Sequence, residues 1–215
     1  MHDFRYVSRK EAQPIKDEMY QIVYEVQNLV RDNFTFNFTL IGRGGSSSRN
    51  MITYDAKSNI GFDFDINIEV NDDDENFEPK EIRTIIRNAI DRVAPRYGYK
   101  YCEDSTRVLT VKKVNIITSR IIHSCDFAIV YNCTDGRQQY IRFNKDNNNY
   151  SWEYQGKGFG DLDNKIDWLK KKKLWKKLQD YYIEKKNSNE NPAKHSRSIF
   201  AESINEICQK NGYHK

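Results

Sequence analysis

The chain of 215 residues is 38% hydrophobic and 13% aromatic, which provides enough apolar material for a packed core and excludes a largely disordered chain. Its formal net charge is only +4, but nine acidic residues stand against one lysine in residues 63–81, and nine lysines against three acidic residues in residues 165–186. Cysteine spacing, the lack of a 20-residue apolar run and the N-terminal composition exclude zinc, membrane and secreted classes and predict a cytoplasmic protein.

The first predicted elements are a helix and a strand. Ser8 and Glu11 have capping-box spacing, and apolar residues at helical spacing follow them, so we expect a helix ending near Asn33. Alternating Phe and Leu in residues 34–41 predict a strand. This strand runs into a glycine- and serine-rich loop at residues 42–48.

The next strand, residues 61–70, carries two aspartates on one face. Asp63 and Asp65 are two positions apart, so their side chains leave a strand on the same side, while the alternating apolar residues take the other: Phe62, Phe64, Ile66, Ile68 and Val70. Two adjacent carboxylates offer the oxygen ligands that Mg²⁺ prefers. An amphipathic surface strand whose acids face water is the alternative interpretation.

The remaining pattern predicts one helix, four strands and two C-terminal helices. In order they cover residues 79–93, 107–114, 120–133, 138–144, 150–154, 161–186 and 198–211. This order predicts an α+β fold, a mixed β-sheet flanked by helices, with a small C-terminal helical lobe. The glycine-rich residues 156–160 suggest a division into a core of residues 1–158 and a lobe of residues 159–215.

Two further features suit metal-dependent phosphoryl transfer. Asp126 interrupts an otherwise apolar strand, where a buried charge is costly unless it is paired or binds a metal. An ion pair with Arg120 or a nearby lysine is an equally open explanation. The glycine-serine loop offers backbone amides and hydroxyl groups to phosphate oxygens, although such loops are often simple connections.

These motifs, in this order, resemble the nucleotidyltransferase superfamily of the DNA polymerase beta type, in its small bacterial form. That superfamily carries a Gly-Ser or Gly-Gly pair, then an acidic-hydrophobic-acidic-hydrophobic strand, then a third acid between hydrophobic residues. Here they are Gly45-Ser46, Asp63-Phe64-Asp65-Ile66 and Cys125-Asp126-Phe127. The element order is also similar to the oligoadenylate-synthetase and cyclic-oligonucleotide-synthase branch.

The resemblance implies a role for each matching residue. Asp63, Asp65 and Asp126 would be the catalytic residues and the ligands of Mg²⁺ or Mn²⁺. The phosphates of a donor NTP such as ATP would be held by Gly44, Gly45, Ser46, Ser47 and Arg49. The implied reaction transfers a nucleoside monophosphate to a hydroxyl group and releases pyrophosphate, the chemistry of the EC 2.7.7 class.

Other residues allow contacts to the base or phosphates of the donor. Tyr150 and Trp152 are candidates for stacking on the base, and Lys173 for a phosphate contact; packing and a solvated helix face are the alternatives. The acceptor is open among a nucleotide, an RNA, a protein and a small molecule, and the lysine-rich segment favours a nucleotide or RNA. A non-catalytic nucleotide- or RNA-binding module of the same fold is the alternative function, and an interaction protein is a third.

Overall fold

The computed structural model of the protein describes residues 2–41, 51–72, 75–156 and 161–213. Five α-helices, nine strands and one 3₁₀ helix, Ala94–Tyr97, occur in these residues. In chain order the α-helices and strands are β1 Phe4–Tyr6, α1 Arg9–Val30, β2 Thr35–Ile41, β3 Thr53–Asp55, β4 Phe62–Asn71, α2 Pro79–Val93, β5 Glu103–Asp104, β6 Leu109–Asn115, β7 Arg120–Asn132, β8 Gln138–Asn144, β9 Asn149–Tyr154, α3 Leu162–Lys171, α4 Trp175–Ser188 and α5 Ser196–Lys210.

The larger of two compact units, residues 6–54 and 58–155, holds a mixed sheet. Its strand order in the described residues is β2-β4-β7-β6-β5. Strand β8 pairs with residues 130–132 at the C-terminal end of β7, and β9 pairs with β8. Strands β4 and β7 are parallel, and the other pairs of this sheet are antiparallel. The predicted α+β fold with a mixed sheet is therefore confirmed.

The core of this unit lies on one face of the sheet. Phe64, Ile66, Ile68 and Val70 of β4 are at most 3% exposed and belong to one apolar cluster, which also includes the buried stripes of α1 and α2. Full burial of such a side chain stabilises the fold by about 1.5–3 kcal/mol. The polar residues of β4 are consequently left on the opposite face.

The helix boundaries follow the predicted capping residues. Ser8 caps α1 through the reciprocal bonds of a capping box with Glu11, as the sequence predicts. Pro79 begins α2, where its missing N–H is not needed. Gly98 follows the 3₁₀ helix with φ of 82°, in the left-handed region that glycine adopts without strain.

A buried arginine ties α2 to the loop before β6. Arg83 is 1% exposed, and its guanidinium donates to Asp104 Oδ1 at 2.6 and 2.9 Å. It also donates to the carbonyl oxygens of Ser105, Val108 and Ile141. These bonds compensate the buried charge and fix the start of β6, which lies next to the strand of Asp126.

The smaller unit contains α3, α4 and α5 together with residues 1–5 and 55–57. Its buried apolar residues include Leu169, Leu178 and Ile204, each 0% exposed. The backbone N–H of Phe4 donates to Asn187 Oδ1 at 2.6 Å, which fixes the N-terminal strand. The predicted division at residue 158 stays a prediction.

The sequence prediction of one helix over residues 161–186 is wrong. The helix breaks between Lys171 and Trp175, where Lys173 has φ of 58° and the N–H of Leu174 bonds back to the carbonyl of Leu169. The break allows Leu169 and Trp175 both to be buried. The apolar residues on the two sides of the break keep the spacing of one continuous helix, so the hydrophobic period does not reveal the break.

Three short strands, β1, β3 and β5, were not predicted, since two or three residues give no alternation to read. Residues 51–60 contain β3 and a turn. No helix in the described parts of the chain has the length and apolar character to cross a membrane.

Candidate active site

Asp63 and Asp65 lie on the face of β4 that points away from the core. Both side chains are exposed, whereas Phe64 between them is 3% exposed. The period-two alternation of the strand therefore separates acids from apolar residues as the sequence predicts. The apolar side anchors the strand and thereby fixes the direction of the carboxylates.

The third aspartate is brought beside the other two by strand pairing. Asp65 is the Cα partner of Asp126 in the parallel pairing of β4 with β7, and Asp63 is the partner of Ser124. Side chains of paired residues lie on the same face, and neighbouring strands are about 4.8 Å apart. The three predicted carboxylates consequently share one face over two adjacent strands.

Asp126 is partly buried and accepts a hydrogen bond from a neutral group. Thr110 of β6 is its Cα partner on the other side, and Thr110 Oγ1 donates to Asp126 Oδ1 at 2.6 Å. Burial raises the pKa of the Asp126 carboxyl, and the Thr110 bond and the charge of Lys112 oppose this rise. In the described residues no Lys or Arg forms an ion pair with Asp126, so the alternative pairing with Arg120 is not observed.

A second hydroxyl group among the described residues of the site belongs to Ser124. Ser124 Oγ donates to Asp63 Oδ1 at 3.4 Å. Between Ser124 and Asp126, Cys125 points into the core and is fully buried; burial first, and the three nearby carboxylates second, raise the pKa of its thiol. A protonated thiol at this position is an apolar packing group and no nucleophile.

Thr110 and Ser124 belong to the site but are not among the residues predicted for it from the sequence. Ser124 has a detectable signal, because it lies two positions before Asp126 on one strand face. Thr110 has none, since its place depends on the register between β6 and β7.

The predicted phosphate-binding residues lie outside the described residues. These are Gly44, Gly45, Ser46, Ser47 and Arg49. Strand β2 ends at Ile41, whose Cα partner in the antiparallel pairing is Asp65. The chain therefore enters this segment directly beside the aspartates.

The donor set at this face suits a hard divalent cation. Asp63, Asp65 and Asp126 offer only carboxylate oxygens, which Mg²⁺ and Mn²⁺ accept. Across residues 2–41, 51–72, 75–156 and 161–213, however, no three His, Cys, Asp or Glu side chains are gathered closely enough to hold a metal ion as they stand. The residue types and strand register fit such an ion, and metal binding itself stays a prediction.

The residues predicted to contact the base and the phosphates belong to elements other than those of the aspartates. Tyr150 and Trp152 of β9 pack against the apolar core cluster, and Tyr150 stacks on Phe143 with ring centroids 4.4 Å apart. Trp152 is paired with Ile141, which is 0% exposed in the same cluster. Lys173 is exposed in the turn between α3 and α4. Their roles in nucleotide binding stay predictions.

The chain is similar to known proteins in its structure and matches none in its sequence. No protein-family model and no curated protein sequence matches the chain. The Vibrio cholerae DncV cyclic AMP-GMP synthase in complex with nonhydrolyzable GTP is similar at a TM-score of 0.55 and 15% identity, over 92% of this chain and 52% of that chain. Escherichia coli DncV in its 3'-deoxy GTP bound form is similar at 0.52 and 12% identity, over 98% and 55%.

These similarities establish the fold. At 12–15% identity they show the fold alone: the chain has the fold of the DncV structures. A 3'-deoxy ATP bound form of Vibrio cholerae DncV gives a TM-score of 0.54 at 15% identity, over 97% of this chain and 54% of that one. The chain spans about half the length of these solved structures.

Proposed function

We propose that this chain is a nucleotidyltransferase that moves a nucleoside monophosphate from an NTP to a hydroxyl acceptor. One observation carries the proposal: the parallel register places Asp126 beside Asp65, and Asp63 lies two residues along on the same face. Three acids on one face of two paired strands are unfavourable without a cation, because like charges repel and Asp126 is partly buried.

The three aspartates would hold Mg²⁺ or Mn²⁺. When bound, such an ion supplies positive charge that lowers the cost of charge developing on the phosphoryl oxygens. The charge of the carboxylates and their fixed positions on two paired strands are the contribution of this chain. Fixed positioning is valuable because phosphoryl transfer depends mainly on alignment and electrostatics.

In the proposed reaction the acceptor oxygen attacks the α-phosphorus of the NTP. The bond from that phosphorus to the bridging oxygen breaks, and pyrophosphate leaves. The acceptor proton passes to the Asp126 carboxylate, whose pKa is raised by burial. Residues 44–47 and Arg49 would hold the β- and γ-phosphates, which agrees with the exit of the chain from β2 beside Asp65.

The preference for a nucleotide or RNA acceptor follows from two features. A similar fold occurs in Vibrio cholerae DncV, which is described as a cyclic AMP-GMP synthase and with bound GTP. The lysines of residues 170–173 add positive charge suited to phosphates. Both features support the proposal without selecting one acceptor.

The test incubates the protein with each α-labelled NTP, Mg²⁺ or Mn²⁺, and a pool of nucleotides, RNA and small molecules. We expect labelled product and pyrophosphate from the wild type, and at least a 1,000-fold lower rate for Asp63→Asn and Asp126→Asn. The matched control is Glu69→Gln, which changes an acid on the same face of β4 that bonds Thr39 instead of the aspartates. Its rate should stay within about threefold of the wild type.

Two results would contradict the proposal. Binding of NTP by the wild type without pyrophosphate release would favour the non-catalytic binding module. Undiminished turnover by Asp126→Asn would show that the aligned carboxylates are not the reaction centre.

A further inference from the structure

Thr110 is the nearest polar neighbour of Asp126 across the β6–β7 pairing. The two residues are Cα partners, and Thr110 Oγ1 donates to Asp126 Oδ1 at 2.6 Å, the length expected of a hydroxyl-carboxylate bond. Thr110 is itself partly buried, and a β-branched side chain on a strand has few rotamers. Its hydroxyl group therefore fixes the plane of the Asp126 carboxylate.

A hydroxyl group at this position has a different effect from that of a cation. An ammonium or guanidinium group would orient Asp126 and also neutralise it, which would remove the attraction for a metal ion. Thr110 orients the carboxylate and leaves its negative charge available for a cation. The nearest lysine on the same strand face, Lys112, donates instead to Glu103 at 2.5 Å.

The strand row through Asp126 consequently has a defined order. Glu103 of β5 is paired with Thr110, Thr110 with Asp126, and Asp126 with Asp65. The hydroxyl group lies on one side of Asp126 and the like-charged carboxylate on the other. Without the Thr110 bond, repulsion from Asp65 would favour rotation of the Asp126 side chain away from it.

We infer that Thr110 is a positioning residue, which holds the Asp126 carboxylate beside Asp65 and thereby strengthens divalent-cation binding at the proposed transferase site. The inference rests on the proposed function for its biological meaning, but cation binding is measurable without turnover. Groups that orient metal ligands typically change metal affinity or activity by about 10- to 100-fold when removed.

The test compares Thr110→Val, Thr110→Ser and Thr39→Val in the full chain. Valine keeps the shape of threonine without its hydroxyl group, and serine restores the donor. Thr39→Val is the matched control, because Thr39 Oγ1 donates to Glu69 Oε1 at 3.1 Å on the same face of the sheet. Far-UV circular dichroism and thermal unfolding establish that each variant is folded.

Mn²⁺ binding to the protein without nucleotide is followed by the loss of the free-ion signal in electron paramagnetic resonance. We expect Thr110→Val to raise the dissociation constant for Mn²⁺ by about 10-fold or more, and Thr110→Ser and Thr39→Val to stay within about threefold. The Mn²⁺ concentration for half-maximal pyrophosphate release should rise by the same factor in Thr110→Val. The KM for NTP, measured at saturating Mn²⁺, should be unchanged.

The outcomes separate this inference from the proposed function. Unchanged Mn²⁺ binding in folded Thr110→Val, or no Mn²⁺ binding by the wild type, would overturn the role of Thr110 even if turnover is observed. Weakened Mn²⁺ binding in Thr110→Val, with recovery in Thr110→Ser, supports the role of Thr110 even if the wild type shows no transfer. The latter result would disprove only the enzyme.

Discussion

At the scale of single residues, the core contains a neutral histidine, His123, that is linked by hydrogen bonds to Tyr99 and through it to Glu18. His123 is 3% exposed, and its Nε2 lies 2.6 Å from Tyr99 Oη, which in turn donates to Glu18 Oε1 at 2.7 Å. Because the one hydroxyl proton of Tyr99 goes to Glu18, we assign Nε2 of His123 as the donor to Tyr99. Within the described residues His123 Nδ1 is buried and has no hydrogen-bond partner.

Stability should therefore depend on the protonation of His123. Burial, with Lys113 adding to it and Glu18 opposing it, lowers the pKa of His123 from 6.5 to about 4. The unfolded chain binds more protons than the native one between these values, so the free energy of unfolding falls as pH drops from about 6.5 to about 4, by at most roughly 3 kcal/mol.

The measurement is urea unfolding at several pH values for wild type and His123→Gln, in which the amide can still donate to Tyr99. The carboxylates titrate in both proteins, so their effect cancels in the difference in unfolding free energy between the two. This difference should change with pH over the interval, because only the wild type contains His123. A constant difference would show that His123 is not protonated on unfolding.

Residue-scale features differ in how far the sequence predicts them. The shared face of Asp63 and Asp65 follows from the two-residue period of a strand, which requires no partner. The bond between Thr110 and Asp126 requires the register of two strands. A shift by two residues keeps the apolar faces together and would place Lys112 beside Asp126 instead. The two-residue period of a strand does not distinguish these two registers.

At the scale of elements, Gly61 controls how closely β4 approaches β7. A Cβ atom at this position would lie 1.9 Å from the carbonyl oxygen of Ile122, which is backbone and cannot rotate away. The clash falls at the start of the parallel pairing that aligns Asp65 with Asp126. Glycine is therefore required here by close approach of two strands.

We predict that Gly61→Ala destabilises the protein by about 2 kcal/mol or more and lowers the proposed activity, because β4 must move away from β7. The control is Gly156→Ala, where a Cβ would meet no atom of the described residues within 4 Å. Urea midpoints and pyrophosphate release measure the two effects. Wild-type stability in Gly61→Ala would contradict the required close approach.

The elements also show where pattern reading is sufficient. Helices α1 and α2 carry capping residues and continuous apolar stripes, so their bounds follow closely from the sequence. The break between α3 and α4 has neither glycine nor proline, and lysine adopts the positive φ at Lys173. It arises from packing of the two helices, a tertiary cause that local signals do not contain.

At the scale of the whole molecule, the fold of the sheet unit depends on one crossover. After β4 the chain passes through α2 and the β5–β6 segment before it returns as β7, parallel to β4. Parallel neighbours require such a connection, and the sequence provides its helix. The sequence predicts a mixed sheet, but the strand order, which brings Asp126 to Asp65, comes from long-range pairing.

The two compact units have separate apolar cores of unequal size. The sheet unit contains the large cluster around β4, whereas the helical unit buries its residues among three short helices. Below about 70–80 residues a single core rarely supplies more than 3–5 kcal/mol, and the helical unit falls in this range. We therefore predict that the helical unit unfolds at a lower urea concentration than the sheet unit.

Three tryptophans allow each unit to be followed separately. Trp152 belongs to β9 of the sheet unit, and Trp168 and Trp175 belong to α3 and α4. In Trp152→Phe the tryptophan fluorescence reports the helical unit. In the double variant with Trp168→Phe and Trp175→Phe it reports the sheet unit. We expect the unfolding midpoint of the first variant at a lower urea concentration than that of the second. Far-UV circular dichroism of the wild type should then show two transitions, the first from the loss of α3, α4 and α5 and the second from the loss of α1, α2 and the sheet. Coincident midpoints in both variants and a single transition in the wild type would instead show one cooperative folding unit.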